Sequence, residues 1–217
     1  MTTRLREGLT ATLLVLGLAG TAQAALITIG SATYDGSAYK LIWDDDNGGG
    51  DSVVWLDFTN YGSWDSMTSW AASLNNEDVL TYNIHSDYGV RWLAADPWRL
   101  PTWGAIGEGP PEMGGLYAQE LNLPWGGPAT NDQLNASEFD NLVASWYWTS
   151  LTSSFNGAIF DAWYFDFRDA YMDRHAAGSL GYALAVRTAQ VYPTPEPASM
   201  LLLGTGLAGL LWARRKK

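Results

Sequence analysis

Hydrophobic and polar positions alternate along several stretches of the chain, and those stretches predict its strands. Residues 38–43 and 52–58 are β-rich runs separated by the acidic, glycine-rich stretch 44–51, a pattern that predicts a hairpin with a wide loop. Residues 158–167 alternate, with Trp163, Phe165 and Phe167 on one face and Tyr164 and Asp166 on the other. Residues 181–188 set Tyr182, Leu184 and Val186 against Ala183, Ala185 and Arg187, and residues 146–150 form a further strand-like run. Helical spacing occurs at Met67, Trp70, Ala71 and Leu74, behind Asp65 or Ser66 as a cap and before Asn75 and Asn76. Residues 116–121 predict a short helix, and Ser137 predicts a cap for another through Phe139 and Leu142. Gly104 to Pro111 and Leu123 to Asp132 read as loops. A hairpin, a helix, a long irregular middle and closing strands together predict an α+β domain.

The two ends follow a different pattern. Arg4 and Arg6 precede an apolar run from Leu9 to Gly20, and Ala22-Gln23-Ala24 supplies the small residues of a signal-peptidase site. A signal peptide over residues 1–24, cut after Ala24, is therefore expected, with the Sec translocon as the first partner. At the other end Pro195-Glu196-Pro197 precedes an almost wholly apolar run and then Arg214, Arg215, Lys216 and Lys217. Residues 198–213 predict a transmembrane helix of about 24 Å, short of a hydrocarbon core of about 30 Å, with the basic end cytoplasmic.

Composition narrows the picture further. The chain has 217 residues and a net charge of −11, and residues 25–192 hold six basic against twenty-one acidic residues, about −15. Such a surface repels nucleic acid and anionic lipid. There is no cysteine, which excludes a disulfide framework, a thiolate metal site and a thiol nucleophile. The chain has twelve Trp, an unusual share, and they suit either a core or a platform on which sugar rings stack. Trp64, Trp92, Trp103 and Trp125 lie in loop-like contexts and are the binding candidates; Trp55, Trp70, Trp148 and Trp163 are periodic and belong to a core. Asp44, Asp46 and Asp51 offer hard oxygen ligands to Ca²⁺, although the stretch lacks the closing Glu of an EF-hand and equally reads as a solvated acidic hairpin. Arg99 is either a ligand contact or a structural cation paired with an acid. His85 and His175 stand in no metal-ligand spacing. Asp166, Asp169 and Asp173 are the carboxylates that a glycan hydrolase would use.

Two resemblances add to this reading. The tail, with Pro195, Glu196, Pro197, Arg214 and Arg215, closely resembles the PEP-CTERM sorting signal, which implies processing by exosortase in a Gram-negative bacterium that makes exopolysaccharide. It implies an inner-membrane intermediate and then the cell surface or extracellular matrix. The ordered motifs Val54-Trp55-Leu56-Asp57, Trp98-Arg99-Leu100-Pro101-Thr102, Tyr147-Trp148-Thr149-Ser150, Trp163 to Phe167 and Tyr182 to Arg187 look like the Lcl C-terminal domain. That resemblance implies a C-type lectin-like fold with a small twisted antiparallel sheet, few helices and long loops over residues 25–192. The relatives' cysteine chemistry and calcium-dependent sugar motifs are missing here. The expected product is a non-catalytic module that binds glycan or protein or builds the matrix, with extracellular polysaccharide as its partner and no cofactor. The alternative is a secreted hydrolase.

Overall fold

The computed structural model describes residues 26–45, 52–102, 112–155 and 158–194. The expected signal peptide with Ala22 and Ala24, the loop residues Asp46 and Asp51, Trp103, and the tail with Pro195, Glu196, Pro197, Arg214, Arg215 and the expected span 198–213 lie outside them. Among the described residues no helix is long and apolar enough to cross a membrane.

One mixed sheet dominates these residues. It has nine strands: β1 (Leu26–Tyr34), β2 (Ser37–Asp44), β3 (Val53–Gly62), β4 (Thr81–Ile84), β5 (Tyr88–Trp92), β6 (Trp146–Phe155), β7 (Ala158–Asp166), β8 (Tyr171–Ala176) and β9 (Gly181–Pro193). The spatial order is β4-β1-β2-β3-β9-β6-β7-β8, with β5 also paired to β9. All pairings are antiparallel except the brief contact of β6 with β9 at Tyr147 and Tyr182. This replaces the expected α+β fold with its small antiparallel sheet. The helices are short: α1 (Trp64–Ser73), α2 (Glu112–Gly115) running into a π-helical turn (Leu116–Glu120), and α3 (Asn131–Leu134).

The sheet is large because its central strands are apolar on both faces, so it forms the middle of the core instead of one wall of it. On one face lie Leu41, Val54, Leu56, Trp148, Ala183 and Ala185, covered by α1 through Trp64, Met67, Trp70 and Ala71. On the other lie Ile42, Val53, Trp55, Tyr147, Phe165, Leu184 and Val186, covered by Met113, Leu116, Tyr117 and the chain from Leu123 to Leu142. The alternation at 181–188 is present in β9, but its small alanines face the bulky α1 side and are themselves buried.

Local details correct several expectations. The cap of α1 is Ser63, whose Oγ accepts the Ser66 amide, two or three residues ahead of the expected Asp65 or Ser66. No helix follows Ser137. A capping box on Thr130 and Gln133 starts α3 instead, and the backbone from Asp140 to Leu142 is held by side-chain acceptors on Asp57 and Asn135. β1 joins β2 through Asp35 and Gly36, both at positive φ (46° and 76°), the two-residue turn that matches strand twist.

Candidate functional site

The segment Trp98 to Thr102 is a joint in the sheet. β9 and β6 touch at one residue pair and then diverge. The segment enters the fork, with Arg99 exchanging two backbone hydrogen bonds with Val186 of β9 (3.1 and 3.0 Å) and Pro101 accepting from Ser150 of β6 (2.9 Å). Pro101 costs the joint no donor, and it holds Leu100 extended. Asn75, just past α1, clamps the start of the segment: its side chain accepts from the Trp98 amide at 2.7 Å and donates to the Trp98 carbonyl at 3.1 Å.

Arg99 is a structural cation. Its guanidinium forks onto the buried Glu112 carboxylate at 2.8 and 2.6 Å, and the Thr102 amide also donates to Glu112. The Glu112 side chain is 4% exposed and that of Arg99 27%. Burial works against the Arg99 charge, but the Glu112 hydrogen bonds and charge outweigh it and hold the guanidinium's pKa above its ordinary value. The ion pair therefore ties α2 to the joint.

Beside this joint lies a cavity of about 290 Å³ lined by Trp64, Thr68 and Ala72 of α1, by Pro97 to Leu100, and by Ser150. Ala72 and Pro97 are exposed and stand at its mouth, whereas Trp64, Trp98 and Leu100 are buried. The indole N–H of Trp64 donates to the Thr149 carbonyl (2.8 Å) and that of Trp98 to the Tyr82 hydroxyl (2.8 Å), so both ring nitrogens are occupied within the fold. The Thr68 Oγ1 is buried and has no hydrogen-bond partner. The cavity lining thus combines Arg99 and Trp64 with Thr68, a residue of α1 to which helical spacing alone gives no role.

The other candidates separate. Trp92 is half-buried in a stack, with Arg187 over its ring at 5.0 Å and Trp98 and Tyr82 beside it. Trp125 is 59% exposed on the opposite face of the sheet, backed by Tyr117 and Phe165 and fixed by the Gly126 amide on the Asp169 carbonyl (2.8 Å). Asp44 is fully buried at the end of β2 and accepts from the Trp55 indole at 3.2 Å. Among the described residues no group of three or more His, Cys, Asp or Glu is placed to hold a metal. Asp166 is held by the Arg168 guanidinium and amide, and Asp169 accepts from the Tyr171 amide. Asp173 lies in edge strand β8 opposite Tyr164. His175 stacks on Trp146, the ring centroids 5.5 Å apart.

Two further buried polar groups organise the far face. Asp57 accepts the amides of Asp140 and Asn141. Burial raises its pKa, and these hydrogen bonds offset part of the rise. Tyr147, which accepts the Val143 amide, is pushed up to about 12, chiefly by burial.

No curated protein and no solved structure matches the chain, so the likeness to the Lcl C-terminal domain and its lectin-like fold finds no support beyond the motifs themselves, and the nine-stranded sheet does not follow the expected architecture. Residues 193–216 match the PEP-CTERM protein-sorting motif, and this motif marks the chain as an exported protein sorted by exosortase.

Proposed function

We propose that the exported chain is a non-catalytic glycan-binding module of the cell surface or exopolysaccharide matrix, with its ligand seated in the cavity between α1 and the Trp98 to Thr102 joint. The observation that carries this reading is the lining of that cavity: the apolar side chains of Trp64, Ala72, Pro97, Trp98 and Leu100, with the hydroxyl-bearing residues Thr68 and Ser150 among them. Pockets of this kind, mostly apolar with a few convergent polar groups, suit a sugar, whose ring has an apolar C–H face and a hydroxyl rim. Delivery to the outside through the sorting motif supplies the setting. The acids support a binding role over hydrolysis, since Glu112, Asp57 and Asp166 are each occupied by donors of the fold. The test is retention of the full chain on extracellular polysaccharides of exosortase-bearing bacteria. Retention that is lost on filling the cavity with Ala72→Trp is the expected result. Absence of retention on every such polysaccharide refutes the reading.

A further inference from the structure

The sorting motif and the fold overlap, and the overlap bears on how the chain meets exosortase, independently of the cavity. The match to the motif begins at residue 193. β9 ends at Pro193, which is still in register with Tyr88 of β5. The next residue is held as well: the Thr194 amide donates to the Asp87 carbonyl at 2.8 Å, and Thr194 Oγ1 donates to the Ser86 carbonyl. Pro195 follows at once, so no spacer separates Pro195-Glu196-Pro197 from the sheet. The turn between β4 and β5 is itself fixed. The His85 amide ties it to the Ile29 carbonyl of β1 (2.9 Å), and the Tyr88 amide closes it on the His85 carbonyl (3.0 Å). The Tyr192 ring packs on Gly89, where a Cβ would lie 2.2 Å from it.

Consecutive Cα atoms are about 3.8 Å apart, so Glu196 lies within about 8 Å of Thr194. A partner that encloses Pro195 and Glu196 has two courses. It touches the turn, or it pulls Thr194 off the turn and unzips Pro193 and Tyr192 from β5. The unbroken pairing from Ala189 to Pro193, continued by Thr194, favours contact. The surface there is open: His85, Ser86 and Asp87 are exposed, and so is Tyr192. Charge indicates what covers it. Residues 85–88 and 192–197 hold Asp87 and Glu196 and no Lys or Arg. A groove that accepts the Glu196 carboxylate is basic, and with no spacer the same groove faces Asp87.

We infer that exosortase recognises the motif together with the folded end of the domain, covering the turn at His85, Ser86 and Asp87 and the Tyr192 ring with a basic surface while it holds Pro195 to Pro197. The experiment expresses the full chain beside exosortase and follows the processed fraction by pulse–chase. Asp87→Lys reverses the charge on the turn and leaves the residue 87 carbonyl in place to hold Thr194. Processing slows about fivefold, and the melting temperature of the purified chain stays at the wild-type value. A spacer of about six Gly and Ser residues after Thr194 lets the motif move up to about 20 Å from the turn, and it also slows processing. In the spaced chain Asp87→Lys has no further effect, a result that a defect in folding or export does not give. Unchanged processing of Asp87→Lys at native spacing overturns the inference, as does an equal effect of the substitution with and without the spacer. Faster processing of the spaced chain overturns it too, because the turn then obstructs exosortase instead of meeting it.

Discussion

The Arg99–Glu112 pair gives a prediction whose two halves differ in size. Replacing Arg99 with Met leaves the Glu112 carboxylate, 4% exposed, with the Thr102 amide as its remaining hydrogen-bond donor from the joint. Removing one member of a buried pair costs about 3–5 kcal/mol, because the other charge stays desolvated. For a domain of this size that lowers the melting temperature by roughly 6–20 °C. Glu112→Gln is milder. Arg99 keeps 27% exposure and can draw on water, so the loss is that of charge-assisted hydrogen bonds, about 1.5–3 kcal/mol. The double variant Arg99→Met with Glu112→Leu removes both charges and fills the space with apolar atoms. It leaves the Thr102 amide unpaired and lands within about 1–2 kcal/mol of the wild type. Urea titrations of the four proteins, read from the near-ultraviolet signal of the tryptophans, give the ranking. Arg99→Met and Glu112→Gln of equal cost, or a double variant as unstable as Arg99→Met alone, would show that the pair is not what fastens α2 to the joint.

Three further outcomes follow from single positions. A Cβ at Gly36 meets nothing within 4 Å, but φ is +76°, so Gly36→Ala costs about 1 kcal/mol through backbone strain alone, measurable by thermal melting. A Cβ at Gly181 would lie 2.2 Å from the Trp146 ring, so Gly181→Ala forces the aromatic cluster apart and costs about 1–3 kcal/mol, with a shift in the His175 ring resonances. The raised pKa of Asp57 makes its contribution to stability complete below the ordinary aspartate value of 3.8 and progressively lost as pH rises through the higher folded value; the stability of wild type minus that of Asp57→Asn falls over that window in urea titrations at stepped pH and is flat above it.

The strands legible in the sequence are those whose side chains meet a core. β2, β3, β7 and β9 carry regular alternation because Leu41 and Ile42, or Leu184 and Ala185, face opposite layers of apolar side chains. The strands that alternation did not reveal answer to backbone pairing instead. β8, Tyr171–Ala176, is an edge strand with Asp173, Arg174 and His175 exposed, so burial writes no pattern on it. β4 and β5 are short, and no residue of either is fully buried. β1 shows no regular alternation, although Asp35-Gly36 is the dipeptide that a two-residue hairpin demands and points to it. The error in fold class has the same origin. Apolar residues on both faces of β3 and β9 imply layers on both sides of a sheet, and reading one face as the core makes the sheet appear small.

The site shows a related confusion between joint and ligand. The run Trp98 to Thr102 stands out in the sequence because a charged residue sits among bulky apolar ones, and such a cation reads as a binding group. In the fold its charge is spent on Glu112 and its backbone on Val186, so the segment supplies the wall of the cavity and the rigidity of that wall. On the glycan-binding reading proposed above, selectivity falls to α1. Trp64, Thr68 and Ala72 recur at a spacing of four and share one stripe of the helix beside the cavity; Trp64 also belongs to the core with Met67, Trp70 and Ala71, which do not line the cavity. Exchanging residues on that stripe changes what the cavity accepts without touching the sheet joint, while exchanging Arg99 changes stability first. A Trp125→Ala variant separates the two tryptophan roles: its ring lies on the opposite face, so sugar affinity in the cavity stays at the wild-type value, and a loss of affinity there would place the ligand on the wrong side of the sheet.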